Sequence, residues 1–292
     1  MQYPDIELGQ RGYEANHIAR VTAAIGDHFG DYFRSAFPDR ESTSASFESA
    51  ITEWAKEKDA YEALLDLELL EEYSYDANAF KSSLRKDCPI IRRCLMSPIE
   101  EMKDYKKQFG MKPGQELLAV TTNLARFVGD YMLSFDGEQH ERCMCPADLR
   151  LSALLEADYT AFGVIGGGIK SHFLYKLHPE AFSNRSQGAI WALYYLTGND
   201  DFGFHDGSEF LMARVEHDRN SIYQNYHYPY DLFAFYALQV FLMLKAACAE
   251  QGVAPDPYYR YVYVDAFLDS ITNAHQDEIQ ILKGKEQYDF FG

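Results

Sequence analysis

Between Leu232 and Cys248 only Gln239 and Lys245 interrupt an apolar run of 17 residues. Apolar side chains at every angular position predict a helix buried on most faces, and the flanks agree. Pro229 suits a first helical position, Asp231 sits in the first turn, and Gly252 fits the left-handed residue that ends a helix. The run falls short of the roughly 20 uninterrupted apolar residues of a membrane span and lacks a basic anchor, so 229–252 is expected to be a core helix.

Much of the remaining chain alternates with helical period. Ile18, Val21, Ile25, Phe29, Tyr32 and Phe33 predict a helix over His17–Phe37, stopped by Pro38. The polar run 41–46 is expected to be a loop. One long helix is expected over Phe47–Tyr73, with Ile51, Trp54, Tyr61, Leu64, Leu65 and Leu69 on its apolar face. Ser97-Pro98-Ile99-Glu100 has the form of a capped helix start. Another helix follows Pro113-Gly114 through Leu117, Val120, Leu124 and Val128, and 135–146 is a loop. Ala147–Tyr159 is expected to be helical. Helices at Ile169–Leu177 and Arg185–Leu196 follow a glycine turn, and a short one is expected at Glu209–Glu216. Tyr258–Val264 (YYRYVYV) is the one strand candidate, from its β-branched and aromatic content; helix resumes over Asp265–Leu282. The class predicted is mainly α: a multi-helical orthogonal bundle around the buried helix near 229–252, with a short strand at 258–264. The chain divides into an acidic helical front half, 1–114, and a helical core carrying the glycine turn, 115–292; the two halves are also compatible with one continuous domain.

Charge narrows the partners. The 292 residues carry a formal net charge of -18, which repels nucleic acid and anionic membrane over most of the surface, so any phosphate contact must be local. The one basic stretch is 81–112, with nine Lys or Arg, including Arg93, Lys106 and Lys107, against Asp87, Glu100, Glu101 and Asp104. It reads either as an anion patch or as the internal counterpart of the acidic helix before it. Five cysteines, an odd and sparse set, argue against a disulfide framework. With no leader-like start in MQYPDIELGQ, they point to the cytoplasm.

The sharpest local pattern is Gly166-Gly167-Gly168-Ile169-Lys170-Ser171. Glycines there let the backbone turn tightly and offer N–H groups at a helix start, a ready anion site. It is not a P-loop: counted from Gly163, Lys arrives one place late. No GxGxxG fingerprint occurs, and no cofactor is expected. Over about 20 residues around 162–182 the segment resembles the hairpin of helix–hairpin–helix DNA-binding proteins, DNA glycosylases among them. There, a Gly-x-Gly turn holds a backbone phosphate. Gly166, Gly168, Lys170 and Ser171 match, whereas Gly167 and His172 depart from the pattern. The resemblance implies that Lys170 would be the nucleophile of a lyase-type member. The aspartate expected about twenty residues on is missing, with Asn184 the nearest polar stand-in. Close helix packing explains the same glycines without any ligand.

Arg185 is either a phosphate contact beside this turn or part of a helix start capped by Ser186. Tyr223, Tyr226, Tyr228 and Tyr230 form an aromatic run suited to a groove, an interface or the core. His205, Asp206, Glu209, His217, Asp218 and His227 lack a metal-binding spacing, and His140, Cys143 and Cys145 lack a fourth ligand, so no metal is expected. Two functions follow. One is a nucleic-acid-associated protein using Gly166–Ser171 and Arg185; the other is a non-enzymatic protein-interaction partner or homo-oligomer with an acidic surface.

Overall fold

The computed structural model describes residues 11–99, 102–199, 212–215, 218–224 and 229–289. The fold is mainly α and multi-helical. The first helix, α1 (Arg11–Ala36), buries Ile18, Val21, Ile25, Phe29 and Phe33, the stripe read from the sequence. The next, α2 (Arg40–Ala55), starts earlier than predicted, and residues 41–46 are its first turns rather than a loop. Asp39 is the reason: its carboxylate accepts from Ser42 N at 2.8 Å, and the Thr43 hydroxyl lies 2.7 Å from both Asp39 O and Gln251 Oε1, sharing its one proton between them. The single long helix expected over 47–73 is instead α2, α3 (Lys58–Leu64) and α4 (Leu67–Glu72). The chain leaves the helix at Asp66, whose backbone is extended (φ -68°, ψ 121°) and whose carboxylate caps the restart by accepting from Leu69 N.

Four helices complete the front: α5 (Ala77–Asp87), α6 (Pro89–Met96), α7 (Met102–Met111) and α8 (Gly114–Leu133). Gly114 lies where α8 presses on α5; a Cβ there would sit 2.3 Å from Ala77 O. A short helix, α9 (Gly137–Glu141), occupies part of the expected 135–146 loop, capped by Asp136. The helix expected at 147–159 is replaced by three 3-10 turns, 146–149, 152–155 and 157–159. Arg150 breaks any continuous helix there with φ 54°, and Leu149, Leu151 and Leu154 all turn into the core.

Then come α10 (Gly167–Leu177) and α11 (Gln187–Leu196). A hairpin of β1 (Met212–Val215) and β2 (Asp218–Gln224) follows, with Ala213 opposite Tyr223. The short helix predicted at 209–216 is therefore strand over 212–215, because cross-strand pairing with β2 satisfies its backbone.

The central helix is α12 (Tyr230–Glu250), with Gly252 at φ 72° closing it. Consecutive positions from Leu232 to Leu238 are buried, and α1, α13 (Arg260–Ala274) and the 146–155 turns cover it. Among the described residues it is the one helix long and apolar enough to cross a membrane. The strand predicted at 258–264 is a 3-10 turn, 257–259, running into α13. Arg260 through Val264 are buried at five successive positions, because α13 packs against α1, α2, α11 and α12. Surrounded on all sides, the segment gains more from helical self-pairing than its local β preference offers an unpartnered strand. The last helix is α14 (Gln276–Asp289). One apolar cluster runs from Ile18 of α1 to Ile279 of α14.

Candidate functional site

Where α2, α10 and α13 meet, with Arg93 of α6 at the edge, they enclose a cleft of about 750 Å³. Helix α13 contributes Asp265 and, one turn on, Asp269. On the opposite wall α10 contributes His172, Tyr175 and Lys176, and α2 contributes Trp54. A backbone latch joins α2 to α10: Lys176 Nζ donates to Trp54 O at 2.7 Å, and Trp54 Nε1 donates to Tyr175 O at 3.3 Å. Arg93 is paired at 2.5 Å with Glu57, which also lines the cleft.

Asn184 organises the polar floor. Its Nδ2 donates to Asp265 Oδ1 at 3.1 Å and Oδ2 at 3.3 Å, so its Oδ1 is the acceptor facing His172 Nδ1 at 3.3 Å. That arrangement requires the proton on Nδ1 and leaves Nε2 of His172 as an unprotonated base, buried without a hydrogen-bond partner among the described residues. Burial, aided by the charge of Lys176, pushes the His172 pKa down to about 3, so the ring is neutral. Burial and then the neighbouring charge of Asp269 raise the Asp265 carboxyl well above the ordinary carboxylate range, against donors from Asn184 and Tyr175. Burial also raises Asp269, nearer the open mouth. Burial lowers the ammonium of Lys176. Residues four apart on a helix hold their Cβ atoms about 5–6 Å apart, so one oxygen bound between Asp265 and Asp269 can reach both.

The residues singled out from the sequence fall elsewhere. Ala161 and Ile165 form an antiparallel bridge around Gly163 (φ 76°), so a tight hairpin does precede α10, with Gly166 as its N-terminal flank. Lys170, however, points into the protein. Its Nζ donates to Leu154 O and, at 3.1 Å, to Thr160 Oγ1. Ser171 Oγ donates to Gly168 O and accepts from Arg185 N. Arg185 is buried against Gly167, and Ser186 caps α11 through Ala189 N. The side chains of Lys170, Ser171 and Arg185 are thus committed inward, which leaves the main chain of Gly166–Gly168 for an anion.

Tyr230 is buried with its hydroxyl on Ser183 O, and so presents no face to a groove. Tyr223 lies on β2; Tyr226 and Tyr228 lie outside the described residues, as do His205, Asp206, Glu209, His217 and His227. His140 Nε2 is bonded to the Tyr261 hydroxyl at 2.7 Å rather than grouped with the thiols. The sequence reading reached Asn184, as a stand-in for a missing aspartate, but not Asp265, its partner 81 positions away. The available signal was the four-residue spacing of Asp265 and Asp269 on a helix otherwise rich in apolar residues.

No family model, curated protein or solved structure matches this chain.

Proposed function

We propose that the cleft between α2, α10 and α13 is the active site of an enzyme that cleaves a polar bond in a small molecule by general acid–base chemistry. The observation that carries it is the placement of two carboxyls, Asp265 and Asp269, on one cleft wall, both raised above the ordinary range. Like charges held close cannot both ionise easily, so the pair keeps a proton that isolated carboxylates would have lost. One member donates a proton to a leaving group while the other draws one from water. Asn184 and the Tyr175 hydroxyl orient Asp265, and neutral His172 anchors the far end of the Asn184 bridge. Trp54 and the alanine and valine side chains of the walls take the apolar part of the substrate.

Carboxyl-carbon NMR titration tests the proton-sharing directly. Asp265 and Asp269 titrate above the ordinary carboxylate range in the wild-type protein, and Asp269→Asn lowers the value of Asp265 by removing its charged neighbour. Two carboxyls titrating independently near about 4 refute the reading. In a screen of glycoside, ester and amide substrates, turnover surviving in a D265N/D269N double variant refutes it equally.

A second reading, association with nucleic acid through the hairpin, rests on one packing fact. Gly163 backs onto Gln108 of α7, which sets the hairpin tip and the exposed Phe162 beside the basic helix that carries Lys106 and Lys107. Anisotropy titration of labelled single- and double-stranded oligonucleotides at low salt tests it. Salt-sensitive binding weakened by Lys107→Glu supports this reading, and no binding at low salt ends it.

A further inference from the structure

We propose that a second cavity, the groove between α8 and the turns at 146–159, binds a small anion carried on a flat ring. This groove, about 440 Å³, is separate from the acid–base cleft and shares no lining residue with it. Two arginines line it, Arg126 and Arg150, against one carboxylate, Asp130. Neither arginine is ion-paired among the described residues, although the chain as a whole carries a net charge of -18. Two guanidiniums thus line one groove with a single carboxylate against them.

The aromatic floor says what the anion is attached to. Phe127 stacks on Tyr131 with ring centroids 5.8 Å apart, and Tyr159 meets Phe127 edge-on at 5.8 Å. The Tyr131 hydroxyl donates to Leu149 O at 3.0 Å, which fixes its ring. Arg150 then places its guanidinium 5.8 Å from the centre of that ring. The backbone of Arg150 adopts the left-handed conformation, φ 54° and ψ 36°, that non-glycine residues rarely hold. Leu149 and Leu151 on either side are buried, and Arg150 between them lines the groove.

Guanidiniums recognise phosphate or carboxylate through paired N–H donors. A bare multivalent anion has no use for the rings and is repelled by Asp130. An aryl phosphate or aryl carboxylate uses all the elements at once: its anionic group meets Arg126 and Arg150, and its ring lies against Phe127 and Tyr159.

Titration of the wild-type chain with inorganic phosphate, phenyl phosphate and benzoate, followed by amide NMR shifts, tests this. Phenyl phosphate is expected to move the amides of Asn123–Ser134 and Arg150, and to bind at least about tenfold more tightly than inorganic phosphate. Arg126→Ala and Arg150→Gly each weaken it by about tenfold, the loss of one charge-assisted contact. Asp130→Asn strengthens binding. Glycine tolerates the left-handed backbone, so R150G retains or raises Tm, and its loss of binding is not a folding defect. D265N binds as the wild type does, so this proposal and the acid–base reading fail separately. No saturable shift at millimolar ligand, equal affinity for phosphate and phenyl phosphate, or unchanged affinity in R126A would each overturn it.

Discussion

Lys170 offers the sharpest test of how the glycine hairpin works, because burial and phosphate binding make opposite demands on its ammonium. Burial, with the nearby charge of Arg185, lowers its pKa from 10.5 to about 8. Holding the charged form in the folded protein at pH 7 therefore costs about 3 kcal/mol, at ~1.4 kcal/mol per decade of protonation. The unfolded chain keeps this proton up to its ordinary value, while the folded chain releases it near 8. Between those values the unfolded chain holds more protons, so raising the pH favours the fold. From pH 7 to 9.5 the gain works out at about 2 kcal/mol. Lys170→Met keeps the aliphatic stem and removes the titration. Urea unfolding of both proteins at pH 7 and 9.5 measures it, and tyrosine ionisation, common to the two, cancels in the comparison. The wild type is expected to gain about 2 kcal/mol on the variant over that range. A difference that stays constant within about 0.5 kcal/mol would refute the burial of this ammonium and return Lys170 to the surface, where a phosphate could reach it.

The acid–base cleft makes a stability prediction of opposite sign. Raised carboxyls keep their protons in the fold longer than in the unfolded chain, so their contribution falls as pH rises, and Asp269→Asn is expected to raise Tm at pH 8 while removing turnover. Acid acts through the buried imidazoles: His17, His140 and His172 stay neutral down to about 4, 3 and 3, while the unfolded chain protonates them near 6.5. Thermal scans should therefore show stability falling from pH 6.5 to 4, and substituting His140 by Gln should flatten that slope. Gly114→Ala forces a methyl against the backbone of Ala77 and should cost about 1–3 kcal/mol in denaturant unfolding.

The helical stripe of α1 and the core helix α12 were legible because each pattern has one structural solution. A stripe at period 3.6 and an unbroken apolar run between a proline and a glycine need no tertiary knowledge. The segment 258–264 was misread for a physical reason. Helix α13 is buried all round at its start, so its apolar residues show no helical period, and tyrosine and valine tipped the local balance towards strand. The break-up of 47–73 turns on Asp66, which takes an extended backbone and caps the next helix instead of continuing the first, a choice the apolar pattern does not show. The cleft was half visible. Asn184 and α10 drew attention through a short pattern, but Asp265 meets them only because α13 folds back across α10, a juxtaposition no local window contains. Lys170 was misdirected because the sequence shows a lysine beside glycines and not the carbonyl of Leu154 that claims it.

The enclosure of α12 also sets an order of events in folding. The apolar faces of α1 and of the 146–155 turns close on a helix that begins only at residue 230, and α1 also packs against α13 beyond it. A ribosome releasing this chain therefore exposes some two hundred residues of half-finished surface before their partner emerges. Contacts spanning that distance close slowly. The early helices meanwhile carry many carboxylates, whose mutual repulsion opposes association of such exposed surface.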